Sequence, residues 1–279
     1  MTTPARDTLR FESLRIDHPI DGVAELVLIG PGKGNTMGPA FWRELPLAIA
    51  SIEADDAVRA FVVRGEGAHF SFGLDLNAMV PAFTQVIGSP ALGPMRLEAM
   101  AEPLQAAFDA IFRCAKPSVA AVSGWCIGGG VELVCACDLR VASADARFAL
   151  REVKVGMVAD LGGIQRLPHI VGEGVAREMA LTGDPLDAQQ ALAARLVNAV
   201  HPDPQAAIEA ARGLAARIAA NSPLVLAGIK QVMNARLHAE VDAAMRAAAR
   251  LNGSLFQSDD FREAIDAFRD KREPVFRGR

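Results

Sequence analysis

The stretch from Ser118 to Cys137 constrains this chain more than any other: it runs for 20 residues with a single charge, Glu132. That length and apolarity approach those of a membrane-spanning helix. Gly124 and the run Gly128-Gly129-Gly130 argue against a span, because consecutive glycines break a helix into two pieces. A buried strand, a tight glycine loop and a buried helix explain the segment better. Glycines let the backbone approach a ligand closely, and the first amides of the following helix have no partner within it. The helix dipole adds positive potential at the same place. Such a site suits an oxyanion as it suits a phosphate. The spacing is neither the Gly-x-Gly-x-x-Gly of dinucleotide sites nor a P-loop with its lysine.

The surrounding pattern alternates strands and helices. Glu25 to Ile29 and Arg59 to Arg64 read as strands, closed by Gly30-Pro31-Gly32 and Gly65-Glu66-Gly67. Pro39 to Ala54 and Leu97 to Arg113 have helical periodicity, Ser118 to Val122 and Leu139 to Ala142 read as strands, and Val131 to Cys137 reads as a helix. The mixture of proline, glycine and apolar residues in Asn77 to Pro94 predicts an irregular loop beside a pocket. Beyond Gly172 the chain turns helical, over Pro204 to Ala220, Pro223 to Arg236, Ala239 to Leu251 and Asp259 to Arg272. The expectation is an α/β core over residues 1–200 followed by a helical region over 201–279. With 51% hydrophobic residues the chain is too apolar for disorder. A formal net charge of −4 excludes the basic excess of a nucleic-acid binder. Cys114, Cys126, Cys135 and Cys137 read as buried reduced thiols rather than metal ligands. The N-terminus offers no secretory apolar region, so the expectation is a cytoplasmic protein with no metal and no membrane contact.

Two further segments carry chemistry. His69-Phe70-Ser71-Phe72-Gly73-Leu74-Asp75-Leu76 follows a strand and turns at Gly73, where a second backbone amide can face the glycine loop. Two amides converging on one oxygen polarise a carbonyl and stabilise an enolate. Glu152 and Asp160 stand among apolar neighbours, where a carboxyl acquires a raised pKa and becomes an acid or base near neutrality. The competing reading pairs them with Arg147, Arg151, Lys154 or Arg166.

Together these segments resemble the crotonase (enoyl-CoA hydratase/isomerase) family, from about Asp21 to Phe276. The markers are Asn35-Thr36-Met37, Phe70-Ser71-Phe72-Gly73-Leu74-Asp75, Lys116-Pro117, Gly128-Gly129-Gly130-Val131-Glu132, Cys137-Asp138, Gly162-Gly163-Ile164-Gln165-Arg166-Leu167-Pro168 and Lys271 to Phe276. The resemblance implies a spiral of ββα repeats with a helical C-terminal trimerisation region, assembled as a homotrimer or a dimer of trimers. It implies an acyl-CoA thioester as substrate, held with its carbonyl between the amides of Leu74 and Gly129, and no cofactor beyond the coenzyme A of that substrate. Phe72, Met79 and Phe83 would line the acyl pocket, with Asp75 and Gly128 at the binding turns and Lys271 near the coenzyme A nucleotide.

The reaction implied depends on the carboxyls. Glu132 and Glu152 match the two glutamates that act on water in hydratases of the family. Asp160, eight residues after Glu152, is similar to the aspartate of Δ3,5-Δ2,4-dienoyl-CoA isomerases, whose glutamate and aspartate shuttle a proton. Those isomerases usually carry aspartate at the Glu132 position, so glutamate there leaves hydration open. The leading expectation is isomerisation by Glu152 and Asp160, with Glu132 orienting or assisting. The alternative is trans-2-enoyl-CoA hydration. A third reading is a non-catalytic, binding member of the fold, which the presence of all three carboxyls argues against.

Overall fold

The computed structural model describes residues 8–87 and 92–279. Seven strands form one sheet: β1 (Leu9–Arg10), β2 (Leu14–Ile20), β3 (Val23–Leu28), β4 (Ala60–Gly65), β5 (Ser118–Val122), then β7 (Leu139–Ser143) and β10 (Ala199–His201). The omitted β6 (Trp125–Ile127) joins β8 (Arg147–Ala149) and β9 (Leu186–Asp187) in a second sheet. Pairing from β3 through β10 of the first sheet is parallel, with Val62 opposite Val119 and Ala121 opposite Val141. The helices are α1 (Pro39–Ala54), α2 (Leu76–Ile87), α3 (Gly93–Arg113), α4 (Gly129–Ala136), α5 (Gly163–Val171), α6 (Glu173–Thr182), α7 (Ala188–Ala193), α8 (Pro204–Ala219), α9 (Pro223–Leu255) and α10 (Asp259–Asp270).

A repeating unit organises the core. β5, β6 and α4 form one ββα turn, and β7, β8 and α5 form the next. An earlier turn is abbreviated: after β4, a single bridge from Ser71 to Cys126 stands where its second strand would be. Both faces of the large sheet are covered, which is why its strands read as continuous apolar runs. Leu26, Phe61, Val63, Ala120 and Val122 join the main core. Val23, Val62, Val119 and Val141 point the other way, against Ala211, Ala215 and Ala219 of α8. Alanines at four-residue spacing let α8 lie close on the sheet.

Two expectations need correction. Asn77 to Pro94 is not an irregular loop: α2 occupies Leu76–Ile87, and Gly93 and Pro94 open α3. Met79, Phe83 and Val86 lie on one face of α2 and are buried, which outweighs the amide lost at Pro81. Residues 88–91 of that stretch lie outside the described residues. Pro223 to Leu251 is not two helices but part of the 33-residue α9, because Leu237 and His238 neither break nor cap a helix. No helix among the described residues is long and apolar enough to cross a membrane.

α8 is tied to the sheet by charge as well as by packing. Glu25 of β3 is fully buried; its Oε1 accepts from Arg64 Nε at 2.7 Å and Arg212 Nη2 at 2.8 Å, and its Oε2 accepts from Arg212 Nε at 2.7 Å. Burial pushes this carboxyl upward, but the hydrogen bonds from Arg212 and Arg64 outweigh it and hold the group below its ordinary value. Glu25→Ala leaves two arginines facing each other without a counter-charge. Because both remain partly exposed, the expected loss is about 3 kcal/mol, the low end for a broken buried pair. Urea denaturation at pH 7 measures it. The depressed carboxyl stabilises the fold above the ordinary carboxylate range and loses that effect as pH falls, so the difference between the two proteins shrinks below about pH 4.

Candidate active site

Asn35 organises the first wall of the site. It is buried, sits in the left-handed region with φ 45°, and donates from Nδ2 to the carbonyls of Glu66 at 3.0 Å and His69 at 2.9 Å. Its own carbonyl accepts from Ser71 Oγ at 2.8 Å, and the same Oγ accepts from the Gly73 amide at 3.0 Å. The turn is then pinned on both sides. The Met37 amide donates to Gly73 O at 2.8 Å and the Asp75 amide to Met37 O at 3.1 Å. These bonds use the amides flanking Leu74 and leave that of Leu74 itself unpaired among the described residues.

The opposite wall is the entry to α4. Gly129 is its first residue, so its amide has no acceptor within the helix. Gly73 brings the walls together: with φ 77°, a Cβ there would fall 2.5 Å from Ile127 O and 2.9 Å from the Gly129 nitrogen. A Cβ on Gly129 would fall 3.7 Å from the Leu74 nitrogen, so the two free amides are neighbours. At Gly128 the positive φ of 52° disfavours a side chain, and a Cβ there would displace Glu152, whose Oε1 would lie 2.8 Å away. α4 is buried along its whole length, so these amides act with little water around them.

A cavity of about 120 Å³ opens between these walls. Leu97, Met100, Ala101 and Leu104 of α3 line it with Phe83 and Phe256, whose rings meet edge to face at 5.2 Å. Glu132, Glu152 and Asp160 also line it. Burial pushes Glu152 up to about 7, with the Asp160 charge adding to it, and its Oε2 is sealed from solvent without a hydrogen-bond partner. Burial raises Asp160 to about 6, against a donated bond from Asn252 Nδ2 at 3.0 Å that favours its ionised form. Glu132 is pushed well above the ordinary range by burial and by the charges of Glu152 and Asp160. Its Oε1 nevertheless has structural work, accepting from the Leu161 amide at 2.9 Å and the Gly163 amide at 3.1 Å. It thereby holds the turn that follows Asp160. None of the four cations near these carboxyls in sequence forms a salt bridge with them; Arg166 is buried and pairs with Asp109.

The structure therefore brings together Leu74, Gly128, Gly129, Glu132, Glu152 and Asp160, with Phe72 and Phe83 on the cavity wall. Met79 is not on that wall; it is buried in the core, 6% exposed. Asp75 opens α2, accepting from the Ala78 amide at 3.0 Å. Lys271 is exposed at the C-cap of α10 and does not line the cavity. The α3 stripe and Phe256 read in sequence as ordinary core. Asn252 left one trace: a polar residue on the buried face of a helix, beside Ala248 and Ala249. All four cysteines are buried and free, and burial raises Cys135 to about 11 and Cys137 to about 12.

The chain matches the family described as Enoyl-CoA hydratase/isomerase over residues 20–279. It is 40% identical to the mitochondrial Delta(3,5)-Delta(2,4)-dienoyl-CoA isomerase of Dictyostelium discoideum, over 99% of this chain and 96% of the relative. It is 36% identical to the peroxisomal enzyme of the same name from Arabidopsis thaliana, over 99% of each chain. It is also similar to a crystal structure of an enoyl-CoA hydratase from Mycobacterium avium subsp. paratuberculosis K-10, with TM-score 0.80 and 27% identity, over 96% of this chain and 100% of that one. The expectation of a cytoplasmic location does not stand, since these isomerases are named as mitochondrial and peroxisomal.

Carboxyls raised by burial cost the fold stability. The native state holds their protons more tightly than the unfolded chain, so stability is highest below the ordinary carboxylate range and falls as pH rises through about 6 and about 7. Glu152→Gln removes one such charge. It is expected to stabilise the protein on the order of 2 kcal/mol at pH 8 and by close to nothing at pH 4. Urea unfolding at both values measures this, and an equal effect at the two would overturn it.

Proposed function

The chain belongs to the enoyl-CoA hydratase/isomerase family, and we propose that it converts 3,5-dienoyl-CoA to 2,4-dienoyl-CoA through Glu152 and Asp160. The observation that carries this reading is the pairing of two free amides with two carboxyls whose pKa values, about 7 and about 6, straddle near-neutral pH in one apolar cavity.

The thioester oxygen accepts from the amides of Leu74 and Gly129, which draws charge onto it as C2 loses a proton. Asp160, kept as a carboxylate by the Asn252 hydrogen bond, is the base that takes the proton from C2. The electron pair released at C2 spreads through the conjugated dienolate. Glu152, which holds the pair's proton at rest, returns it at C6, and the double bonds move from positions 3 and 5 to positions 2 and 4. The two values lie close together, so the shared proton moves between the carboxyls at small cost. That small difference suits a shuttle that runs in both directions and resets after each turnover. Glu132 assists by holding the Leu161–Gly163 turn.

A second reading has its own support. Glu132 and Glu152 both line the cavity, and the charge of Glu152 raises Glu132, an arrangement that also suits adding water to a trans-2-enoyl-CoA. In either reaction the only coenzyme is the one carried by the substrate. Assembly as a homotrimer or dimer of trimers through 201–279 is part of the proposal, supported by exposed apolar residues on α9 such as Leu224, Val232 and Met233.

Purified protein is offered 3,5-dienoyl-CoA and trans-2-enoyl-CoA while absorbance follows the conjugated diene and the enoyl chromophore. A shift of the diene to the 2,4 position is expected; hydration without that shift overturns the first reading in favour of the second. Asp160→Asn and Glu152→Gln are each expected to lower kcat by about 10²–10⁴-fold. The wild-type pH–rate profile should be bell-shaped, with its maximum between the two carboxyl values.

A further inference from the structure

Asp160 is held from two helices, α3 and α9. From α3, Gln105 donates from Nε2 to the Asp160 carbonyl at 2.8 Å and to Met245 O at 3.2 Å. From α9, Asn252 grips the same segment with its whole amide. Its Oδ1 accepts from the Val158 amide at 2.9 Å, and its Nδ2 donates to Val158 O at 2.8 Å and to Asp160 Oδ2 at 3.0 Å. Both amide hydrogens and one lone pair are thus committed, at a residue with no solvent exposure. A structural clamp on Val158 requires only the first two bonds. The third reaches a carboxylate oxygen of a residue that lines the cavity.

We propose that Asn252 is a positioning residue for the isomerisation: it aims Asp160 and stabilises its ionised form, setting which carboxyl of the pair holds the proton between turnovers. The inference rests on Asp160 being one of the shuttling pair. Glu132 of α4 and Glu152 of the 3-10 turn Glu152–Val155 share the cavity with Asp160, and its charge raises both of them. Arg166 of α5 is paired with Asp109, and Arg151 is exposed at the cavity edge. No salt bridge to Asp160 compensates its charge among the described residues, so the Asn252 hydrogen bond is the larger of two contacts that favour the carboxylate, the other being its own backbone amide. The Glu152 carboxyl also has its own backbone amide but no side-chain donor, its Oε2 being unpartnered, and this asymmetry orders the two groups.

Full-length Asn252→Asp and Asn252→Ala are compared with wild type and with Asp160→Asn. Asn252→Asp keeps size and the acceptor for the Val158 amide while removing the donor; Asn252→Ala removes the side-chain amide without adding charge. Each is expected to lower kcat at pH 6.5 at least tenfold, keep KM within threefold, and move the low-pH limb of the rate profile upward by about one pH unit. In the Asp160→Asn background, followed at high enzyme concentration, Asn252→Ala should cause no further loss. A stationary low-pH limb, or the same loss from Asn252→Ala in both backgrounds, makes Asn252 a structural clamp only and overturns the proposal. Undiminished isomerisation by Asp160→Asn alone is a different outcome: it removes the shuttle assignment itself.

Discussion

The close approach of the Gly73 turn to the start of α4 is the constraint on which the rest of the site depends. With Ile127 O and the Gly129 nitrogen within 3 Å of any Cβ at position 73, the two segments are in backbone contact. Backbone contact of this kind is bought with buried hydrogen bonds, and Asn35 and Ser71 supply them, tying the β4–α2 connection into one rigid turn. What emerges is a pair of amides with no acceptor among the described residues, oriented before any ligand arrives. Preorganisation matters because donors that need no rearrangement stabilise developing charge without a reorganisation cost.

Around that fixed point the chain collects three carboxyls and withholds their counter-ions. Arg166 is close by and buried, yet it is committed to Asp109 and lies 4.8 Å above the Phe112 ring. Elsewhere buried charge is neutralised, as at Glu25 between two arginines, and its carboxyl is held low. In the cavity the same residue types are left to desolvation and mutual repulsion, and their values rise. One fold thus treats acidic residues in opposite ways. The difference marks where stability was given up for acid–base chemistry near neutral pH. The helices that close the cavity are not passive in this respect, since α3 and α9 reach Asp160 through Gln105 and Asn252.

Much of this was legible from residues alone. The limits of α1 and β5 follow from periodicity and turn residues, and agree with the structure to the residue. The glycines at 73 and 128 could be read because few other residues allow a positive φ. Glu152 and Asp160 could be read because carboxyls among apolar neighbours are conspicuous. Less legible were α2, where proline and glycine punctuation outweighed a three-residue apolar stripe, and Met79, whose periodicity is the same whether it faces a cavity or the core. Lys271, placed near a nucleotide by resemblance, is exposed at the C-cap of α10.

Sequence by itself determined the α/β order, the glycine turns that present free amides, and the identity of the carboxyls, because each depends on local backbone sterics or on residue type. Only the tertiary structure decided which donors those carboxyls received. Asn252 stands 92 residues from Asp160 along the chain, and Glu132 lies 29 and 31 residues from the amides of Leu161 and Gly163 that it holds. Desolvation and hydrogen bonding act through space, and a spacing along the chain carries no record of them until the helices pack.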